Sequence, residues 1–476
     1  MLTAEAAQQD VEYDGVFDVR DPSDTSVVVG VYEGRDAHDV DAAVERGHRA
    51  QKEWGSLSAV ERLDTLRSAV TKLDALHGVD ELLVREQGKV QWEATFEVGF
   101  LEMMINGMAD SVDLLDTGRL VIDDGMGKAW VHHEPIGVVA AITPWNYPVA
   151  ISADKVVPAL LAGNAVILKT APTTPLAAQL LFDTLASVLP DGLLTTMTGP
   201  IPTLGARLLE HPGIGKISFT GSTQSGRLVA AATASTLKNL TLELGGNDAA
   251  IVLDDAIVDD KLCGDLVTAA FTTTGQVCLA VKRVYAPRHL LEAITEGIAA
   301  VLDGYVIGPG LHQDTTMGPL HTSAQRQRVR DLIADAEADG AKVRYCGTLA
   351  GDPEKGYFQL PAVVTGAGNE SRLVREEQFG PALPLLPYDN LDDAIDMAND
   401  SPYGLASSIW TEDEDRAVSL ARRIQAGSTY INAHGLFAVD PRAPFGGVKQ
   451  SGIGRELGLE GLLSFTETHT ISTRHM

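Results

Sequence analysis

Between residues 137 and 246, short apolar runs alternate with stretches that have helical spacing of their apolar residues. The apolar runs are rich in Val, Ile and Leu, as are strands that are buried on both faces of a parallel sheet. The alternation therefore predicts an α/β fold in which helices cover both faces of a parallel sheet. The predicted strands are "GVVAAIT" (137–143), "AVILK" (165–169), "TTMTG" (195–199), "KISFTG" (216–221) and "LTLELGG" (240–246).

Helices are predicted between these strands and in the region before them. In the stretch "TTPLAAQLLFDTLASVL", Thr174 is the expected N-cap and Pro175 the first helical residue. Near the N-terminus, Val40, Val44 and Trp54 have the spacing of one face of an amphipathic helix. Further helical blocks are predicted at 56–76 and 90–115.

A second α/β region begins with "AAIVLDDA" (249–256) and extends to about residue 445. The final stretch, "TETHTIST" (466–473), has strand character. A single terminal strand has unpaired backbone groups, so it is expected to pair with another segment.

Polar residues follow the predicted strands of the first region where each strand ends. Asn146, Lys169, Ser222 and Glu243 all come after apolar runs. Ligands of parallel sheets bind outside the carboxyl ends of the strands, so these four side chains predict a ligand site at one sheet edge.

Composition and charge exclude several function classes. The formal net charge of −28 repels phosphate backbones and anionic lipid surfaces, which argues against nucleic-acid and membrane partners. Three scattered cysteines, Cys263, Cys278 and Cys346, are too few for a disulfide framework or a zinc site, so no metal is predicted. The N-terminal residues lack the pattern of a signal peptide. A reducing, cytoplasmic location is expected.

Cys278 lies in "TTTGQVCLAVKR" (272–283), and burial as a structural thiol is the simplest explanation for a free cysteine. Five other stretches change this interpretation: "ITPWNYP" (142–148), "FTGSTQSG" (219–226), "LELGG" (242–246), "EEQFGP" (376–381) and "PFGGVKQSGIGRE" (444–456). Together, and in this order, they resemble the NAD(P)-dependent aldehyde dehydrogenase superfamily. The resemblance extends over nearly the whole chain. Cys263 and Cys346 have no such surroundings and are expected to be structural.

The resemblance implies a catalytic role for three residues. Cys278 would be the nucleophile that adds to the aldehyde carbonyl. Asn146 and the Cys278 backbone N–H would donate to the oxygen of the tetrahedral intermediate. Glu243 would activate the water that hydrolyses the thioester, and burial would raise its pKa toward that of a general base. Glu456 with Lys155 resembles a proton relay of the family, with an exposed salt bridge as the alternative.

The stretch "FTGSTQSG" ends a strand and opens a helix, so a pyrophosphate could approach backbone N–H groups at the helix N-terminus. By resemblance, Ser222 would bind the pyrophosphate, Thr220 and Gly221 would lie toward the nicotinamide, and Gly226 belongs to the same cofactor-binding block. Trp145 would lie beside the cofactor, with ordinary core packing as the alternative.

The rest of the implied cofactor site departs from the family pattern. Glu377 would bind the nicotinamide ribose, and Phe379 would pack near the ring unless it is a core residue. Lys169 is present, but Pro172 stands where the family commonly has a Glu for the adenosine ribose, and Ile201 interrupts a usual Gly-x-Gly turn. Without that carboxylate a 2′-phosphate is not repelled. The predicted cofactor is NAD or NADP, with NAD favoured because no extra Arg lies near Lys169.

The resemblance also implies three parts of the chain. Residues 1–115 and 136–246 would form a Rossmann-type cofactor domain, and 247–446 an α/β catalytic domain. Residues 116–135 and 447–476 would form a β oligomerisation arm with the C-terminal segment. Such an arm completes the sheet of a partner subunit, so a homodimer or homotetramer is predicted.

The predicted function is oxidation of an aldehyde to the carboxylic acid with reduction of NAD(P), through a Cys278 thiohemiacetal and thioester. A CoA-acylating enzyme would not need Glu243. A semialdehyde dehydrogenase would need a cation for the substrate carboxylate, and Arg283 and Arg455 are the candidates. A non-catalytic binding protein on the same fold is the alternative from a different class.

The substrate entrance is expected to be apolar. Met104, Met108, Leu436 and Phe437 indicate an uncharged aliphatic or aromatic aldehyde. The stretches considered for this entrance are 100–112, 271–274 and 434–440.

Overall fold

The computed structural model describes residues 15–474, which fold around two large sheets and one small sheet. The predicted α/β class is confirmed. None of the helices in this range combines the length and the apolar character that a membrane span requires.

The first large sheet has six strands, and five of them are parallel. Its central strands are buried along their whole length, which explains their continuous apolar sequences. The sixth strand comes from the C-terminal region and pairs antiparallel at the edge. In spatial order the strands are Gly452–Ile453, Asn239–Glu243, Lys216–Thr220, Val138–Ile142, Ala165–Lys169 and Leu194–Met197.

Helices of the N-terminal half surround this sheet and share one core with it. Val40, Val44 and Trp54 are buried, in agreement with the helical spacing predicted for them. The α-helices are Ala37–Trp54, Ala59–Val70, Val79–Gln87, Gln91–Gly107, Asp113–Asp116, Ala150–Leu161, Leu176–Ala186, Ala206–Glu210 and Thr223–Thr233.

The prediction for the helix after Lys169 is wrong at its first residues. The helix begins at Leu176, and Pro175 is its N-cap. Thr174 does not cap it, because its hydroxyl donates to the Trp145 carbonyl at 3.2 Å. The carboxylate of the distant Glu86 instead accepts the N–H groups of Leu176 and Ala177, each at 2.8 Å. A buried acid from another helix therefore satisfies the first turn.

The second large sheet has seven strands, and only its edge strand Lys342–Tyr345 is antiparallel. Apolar side chains are packed on both of its faces. In spatial order the strands are Lys342–Tyr345, Ala362–Thr365, Ala382–Tyr388, Val281–Pro287, Asp248–Val252, Ala406–Trp410 and Ser428–Ile431. The α-helices of this region are Asp260–Phe271, Arg288–Asp303, Ser323–Ala338, Arg372–Arg375, Leu391–Asn399 and Glu414–Ala421.

A three-stranded antiparallel sheet stands apart from these two. The C-terminal strand Thr466–Arg474 pairs with Gly127–Pro135, which pairs with Arg119–Asp123. The partner expected for the C-terminal strand is therefore a hairpin of the same chain. Leu120 and Ile471 are exposed on this sheet. The smaller elements are the hairpin Val16–Asp21 and Asp24–Glu33, the paired strands Val306–Ile307 and Thr348–Leu349, and the helix Gly458–Leu463.

The two large sheets meet near the end of strand Asn239–Glu243. The chain leaves the first sheet at Glu243 and enters the second at Asp248. A small apolar cluster occupies this junction; its buried members are Tyr147, Val277, Leu279, Ala280, Leu405 and Ala406. The carboxyl edge of the first sheet thus faces the segment that carries Cys278.

Candidate active site

Asn146, Glu243 and Cys278 line one cavity at this junction. They come from the loop after strand Val138–Ile142, from the end of strand Asn239–Glu243 and from the turn before strand Val281–Pro287. Most of the remaining wall is apolar. The apolar side chains in the wall are Phe96, Phe100, Tyr147, Ala150, Ile151, Val277, Leu279, Leu436, Val439, Phe445 and Leu457.

The turn that carries Cys278 has an uncommon backbone. Thr273 and Thr274 have positive φ angles of 50° and 60°, a conformation that is unfavourable for β-branched residues. Two contacts hold it: Thr273 N–H donates to Glu93 at 2.6 Å, and the Thr274 hydroxyl donates to the Gly318 carbonyl at 3.0 Å. These contacts fix the approach of the chain to Cys278.

The Cys278 thiol is half-buried, and burial raises its pKa to about 12. The positive charge of Lys282 opposes this shift, while Glu377, Asp248 and Glu243 add to it. A thiol in these surroundings is protonated near neutral pH, so its attack on a carbonyl requires a proton acceptor.

Asn146 is held from two sides. Its side-chain Nδ2 donates to the Gln276 carbonyl at 2.9 Å, which leaves one amide hydrogen for another acceptor. Its backbone carbonyl accepts from Lys89 Nζ at 2.9 Å. Lys89 also forms an ion pair with Glu97, and both side chains are fully buried. The amide is therefore fixed beside the turn that carries Cys278.

Glu243 is buried, and neither of its carboxylate oxygens has a hydrogen-bond partner within residues 15–474. Burial raises the pKa of Glu243 well above the ordinary value, and repulsion from Glu456 raises it further. The positive charges of Lys155 and Arg455 oppose this shift. Glu456 accepts hydrogen bonds from Lys155 and from Ser218. The Lys155–Glu456 pair is buried, with exposures of 0% and 4%, so the alternative of an exposed salt bridge is wrong.

The turn between strand Lys216–Thr220 and the helix Thr223–Thr233 contains the residues predicted to bind the pyrophosphate. Ser222 is the exposed N-cap residue, and its hydroxyl accepts from Ser225 N–H at 3.1 Å. At Gly226 a Cβ atom would lie 2.4 Å from Leu244, so the helix approaches the neighbouring strand more closely than a larger residue allows. The first N–H groups of such a helix have no intrahelical partners.

Thr220 and Gly221 lie at the same turn. The Thr220 hydroxyl is buried without a hydrogen-bond partner among the described residues, so it is available to a ligand. At Gly221 a Cβ atom would lie 2.6 Å from the Phe219 ring, so this position has no room for a larger residue. The chain could therefore hold the phosphates and the nicotinamide end of NAD(P) at this edge.

The side chains expected at the nicotinamide end lie near one another. Trp145 stacks on His321 with ring centroids 4.6 Å apart, and Phe379 meets Trp145 edge to face at 5.6 Å. Both aromatic residues are half-buried. Glu377 accepts the Gly246 N–H at 3.0 Å, and burial raises the pKa of this carboxyl to about 7.

Lys169 is a buried cation without a carboxylate partner among the described residues. It is buried, burial lowers its pKa to about 8, and its Nζ donates to the Thr170 carbonyl at 3.1 Å. No ion pair in residues 15–474 includes it, and Pro172 supplies no carboxylate nearby. The side chain of Ile201, the other departure from the family pattern, lies outside what the structure describes.

Several expectations about the substrate entrance need correction. Met104 and Met108 are buried in the core of the N-terminal helices and do not line the cavity. Leu436 lines the cavity, whereas Phe437 is exposed outside it and packs on Phe96.

The two arginines considered for a substrate carboxylate are engaged elsewhere. Arg283 donates to the carbonyl groups of Asn247 and Ala398 and to the Tyr285 hydroxyl. Arg455 donates to backbone carbonyls of its own loop. Neither side chain is part of the cavity wall.

Sequence reasoning missed the supporting residues Glu86, Lys89, Glu93 and Glu97. The available signal is the stretch "QWEATFEVGF", in which Glu93 and Glu97 lie one helical turn apart in an otherwise apolar helix. Carboxylates in such a position are rarely buried unless they are paired.

Comparisons with known proteins agree with this architecture. The model of the aldehyde dehydrogenase family matches residues 10–471. The chain is 41% identical to the geranial dehydrogenase of Castellaniella defragrans over 333 residues, which are 70% of this chain and 68% of that protein. Fold and site together define a dehydrogenase. The chain belongs to the aldehyde dehydrogenase family, and it is an NAD(P)-dependent aldehyde dehydrogenase.

Solved structures that resemble this chain include an NAD+ complex and an NADP-dependent enzyme. The NAD+ complex of a Mycobacterium tuberculosis aldehyde dehydrogenase has a TM-score of 0.91 at 35% identity, covering 96% of this chain and 95% of that chain. An NADP-dependent enzyme of E. coli has a TM-score of 0.91 at 32% identity, and the match covers 97% of this chain and 95% of that chain. The cofactor is therefore NAD or NADP.

Proposed function

We propose that the protein oxidises an uncharged, largely apolar aldehyde to the carboxylic acid through a covalent intermediate on Cys278. The observation that carries this proposal is that Cys278, Asn146 and Glu243 line the same cavity, next to a turn that fits a dinucleotide. A nucleophile, an oxyanion donor and a base around one cavity can perform acyl chemistry.

The sulfur of Cys278 adds to the aldehyde carbon, and its proton passes to solvent water. The free amide hydrogen of Asn146 and the Cys278 backbone N–H stabilise the resulting oxyanion. Bound NAD(P)+ supplies the hydride acceptor that turns the thiohemiacetal into a thioester. Glu243 then takes a proton from water as the water attacks the thioester, which releases the acid and restores the thiol. The ion pair of Lys155 and Glu456 lies beside Glu243, and the carboxylate of Glu456 can exchange a proton with it.

The cavity wall supports an uncharged substrate. Among its residues in the described part of the chain there is no Lys, Arg or His. A carboxylated aldehyde would meet acidic residues there without a compensating cation, which weakens the semialdehyde alternative. One relative is a geranial dehydrogenase, named for an aldehyde substrate, and this chain shares 41% identity with it.

Hydrolysis is proposed over transfer to CoA because Glu243 is present and free of protein partners. Replacing Cys278 with Ser or Ala should abolish formation of reduced cofactor from benzaldehyde or hexanal with either NAD or NADP. Cys346→Ala is the matched control, because Cys346 is a buried core thiol outside the cavity, and it should remain active. An active Cys278→Ala variant would contradict the nucleophilic role of Cys278. A wild-type protein inert across a broad aldehyde panel would favour the non-catalytic binding alternative.

We also propose that residues 1–115 with 136–246, 247–446, and 116–135 with 447–476 are the cofactor, catalytic and arm units, in a cytoplasmic enzyme. The three-stranded sheet exposes strand Arg119–Asp123 at its edge, which supports pairing with a second copy as a homodimer or homotetramer. Light scattering should give two or four times the chain mass. A monomer would contradict this proposal.

A further inference from the structure

Asp154 is an acidic residue in the cavity wall that the proposed mechanism does not use. It lies in the helix Ala150–Leu161, four residues after Ala150 and three after Ile151. Residues with this spacing lie on one face of a helix, and all three line the cavity. The helix therefore presents one carboxyl group to the space in which Cys278 and Glu243 lie.

One oxygen of this carboxyl group has no hydrogen-bond partner among the described residues. Its Oδ1 is buried and forms no hydrogen bond within residues 15–474. The other acids in the wall differ: Glu97 pairs with Lys89, Glu456 pairs with Lys155, and Glu243 is left free for the attacking water. Asp154 is therefore an unpartnered polar group whose role is unexplained.

Leaving such a group unpaired is costly. A buried donor or acceptor without a partner lowers the stability of the fold, and most of the surrounding wall is apolar. Burial and repulsion from Glu456 also raise the pKa of Asp154 well above its ordinary value. In the protonated form, which burial favours, the group offers one donor and one acceptor.

We propose that Asp154 is a substrate-recognition residue that hydrogen bonds to a hydroxyl group on the body of the aldehyde. This inference rests on the proposed function, because it concerns the same cavity. A hydroxyl matches both the donor and the acceptor of the acid, and its transfer from water brings no charge into an apolar cavity. The expected substrates are aldehydes with an apolar carbon skeleton and one hydroxyl group at a distance from the carbonyl.

A matched pair of probes tests the proposal. 4-(Hydroxymethyl)benzaldehyde and 4-ethylbenzaldehyde have the same number of heavy atoms and differ by one hydroxyl. For the wild-type enzyme, kcat/KM should favour the hydroxylated probe. Asp154→Leu should lower the ratio of the two kcat/KM values about tenfold, the effect of one lost hydrogen bond. Asp154→Asn, which keeps a donor and an acceptor, should keep most of the preference.

The ratio does not depend on the fraction of folded enzyme, because misfolding lowers both kcat/KM values equally. If Asp154→Leu leaves the ratio unchanged while the wild type oxidises both probes, the inference is overturned and the proposed function stands. If the wild type oxidises neither these probes nor other aldehydes, the proposed function itself fails. A preference for a 4-(trimethylammoniomethyl) probe that Asp154→Leu abolishes would also overturn hydroxyl recognition, in favour of a cation.

Discussion

Substitution of Glu243 by Gln removes the proposed base while it keeps the shape of the side chain. Neither carboxylate oxygen has a hydrogen-bond partner in the described part of the chain, so the change breaks no contact made by that carboxylate. A general base contributes about 10²- to 10⁴-fold to a rate. Turnover should fall by about that factor, while the first acylation of Cys278 should still occur, because it precedes the attack of water.

The separation of these two steps can be measured directly. In stopped-flow absorbance, the variant should give a burst of reduced cofactor equal to the number of Cys278 sites, followed by almost no turnover. Intact-mass spectrometry should then show an acyl group on the protein, and the Cys278→Ser, Glu243→Gln double variant should show none. Wild-type turnover in the variant, or a loss of activity with neither burst nor adduct, would refute the assignment of Glu243.

The raised pKa of Glu243 adds a pH signature. The base acts only when ionised, so wild-type deacylation should rise with pH through that pKa, and the variant should lose the rise. The folded pKa lies above the unfolded value, so the unfolded state releases its proton first as pH increases. The group therefore lowers stability at higher pH, and Glu243→Gln should flatten this decline in the thermal midpoint.

Two other substitutions test the supports of the site. Pro172→Glu places a carboxylate near the buried Lys169. This carboxylate should raise the ratio of kcat/KM with NAD to kcat/KM with NADP by about tenfold or more. An unchanged ratio in steady-state kinetics would contradict this. Lys89→Met leaves the buried Glu97 unpaired and should cost about 3–5 kcal/mol of unfolding free energy. Adding Glu97→Gln should recover part of that loss in denaturant unfolding, whereas additive losses would exclude the coupling.

The sequence pattern predicted the helices and strands that are determined by residues close together in the sequence. The runs at 137–143 and 165–169 are strands because they bury both faces, and the spacing of Val40, Val44 and Trp54 predicted the first helix. The placement of Asn146 and Glu243 at one edge followed from the rule that parallel strands end together. The approach of Cys278 from the second sheet followed only from the family resemblance.

Contacts between distant segments could not be predicted in this way. Thr174 has the residue type of an N-cap, but Glu86, some ninety positions earlier, accepts the N–H groups instead. Met104 has the apolar character of a tunnel residue, but the same character suits a core, and packing decided between them. Local propensity gives way where a tertiary partner offers a better contact.

The buried carboxyl groups that the sequence analysis missed all lie on two helices, Val79–Gln87 and Gln91–Gly107. Glu86 holds the start of the helix that follows Lys169, and Glu93 holds Thr273 before Cys278. Glu97 accepts the N–H groups of Val149 and Ala150 after Asn146. Three separate segments around the site thus donate backbone N–H groups to carboxyl groups on one pair of helices. Because each carboxylate is buried, its loss would leave those N–H groups unsatisfied, so the helix pair couples the positions of the loops.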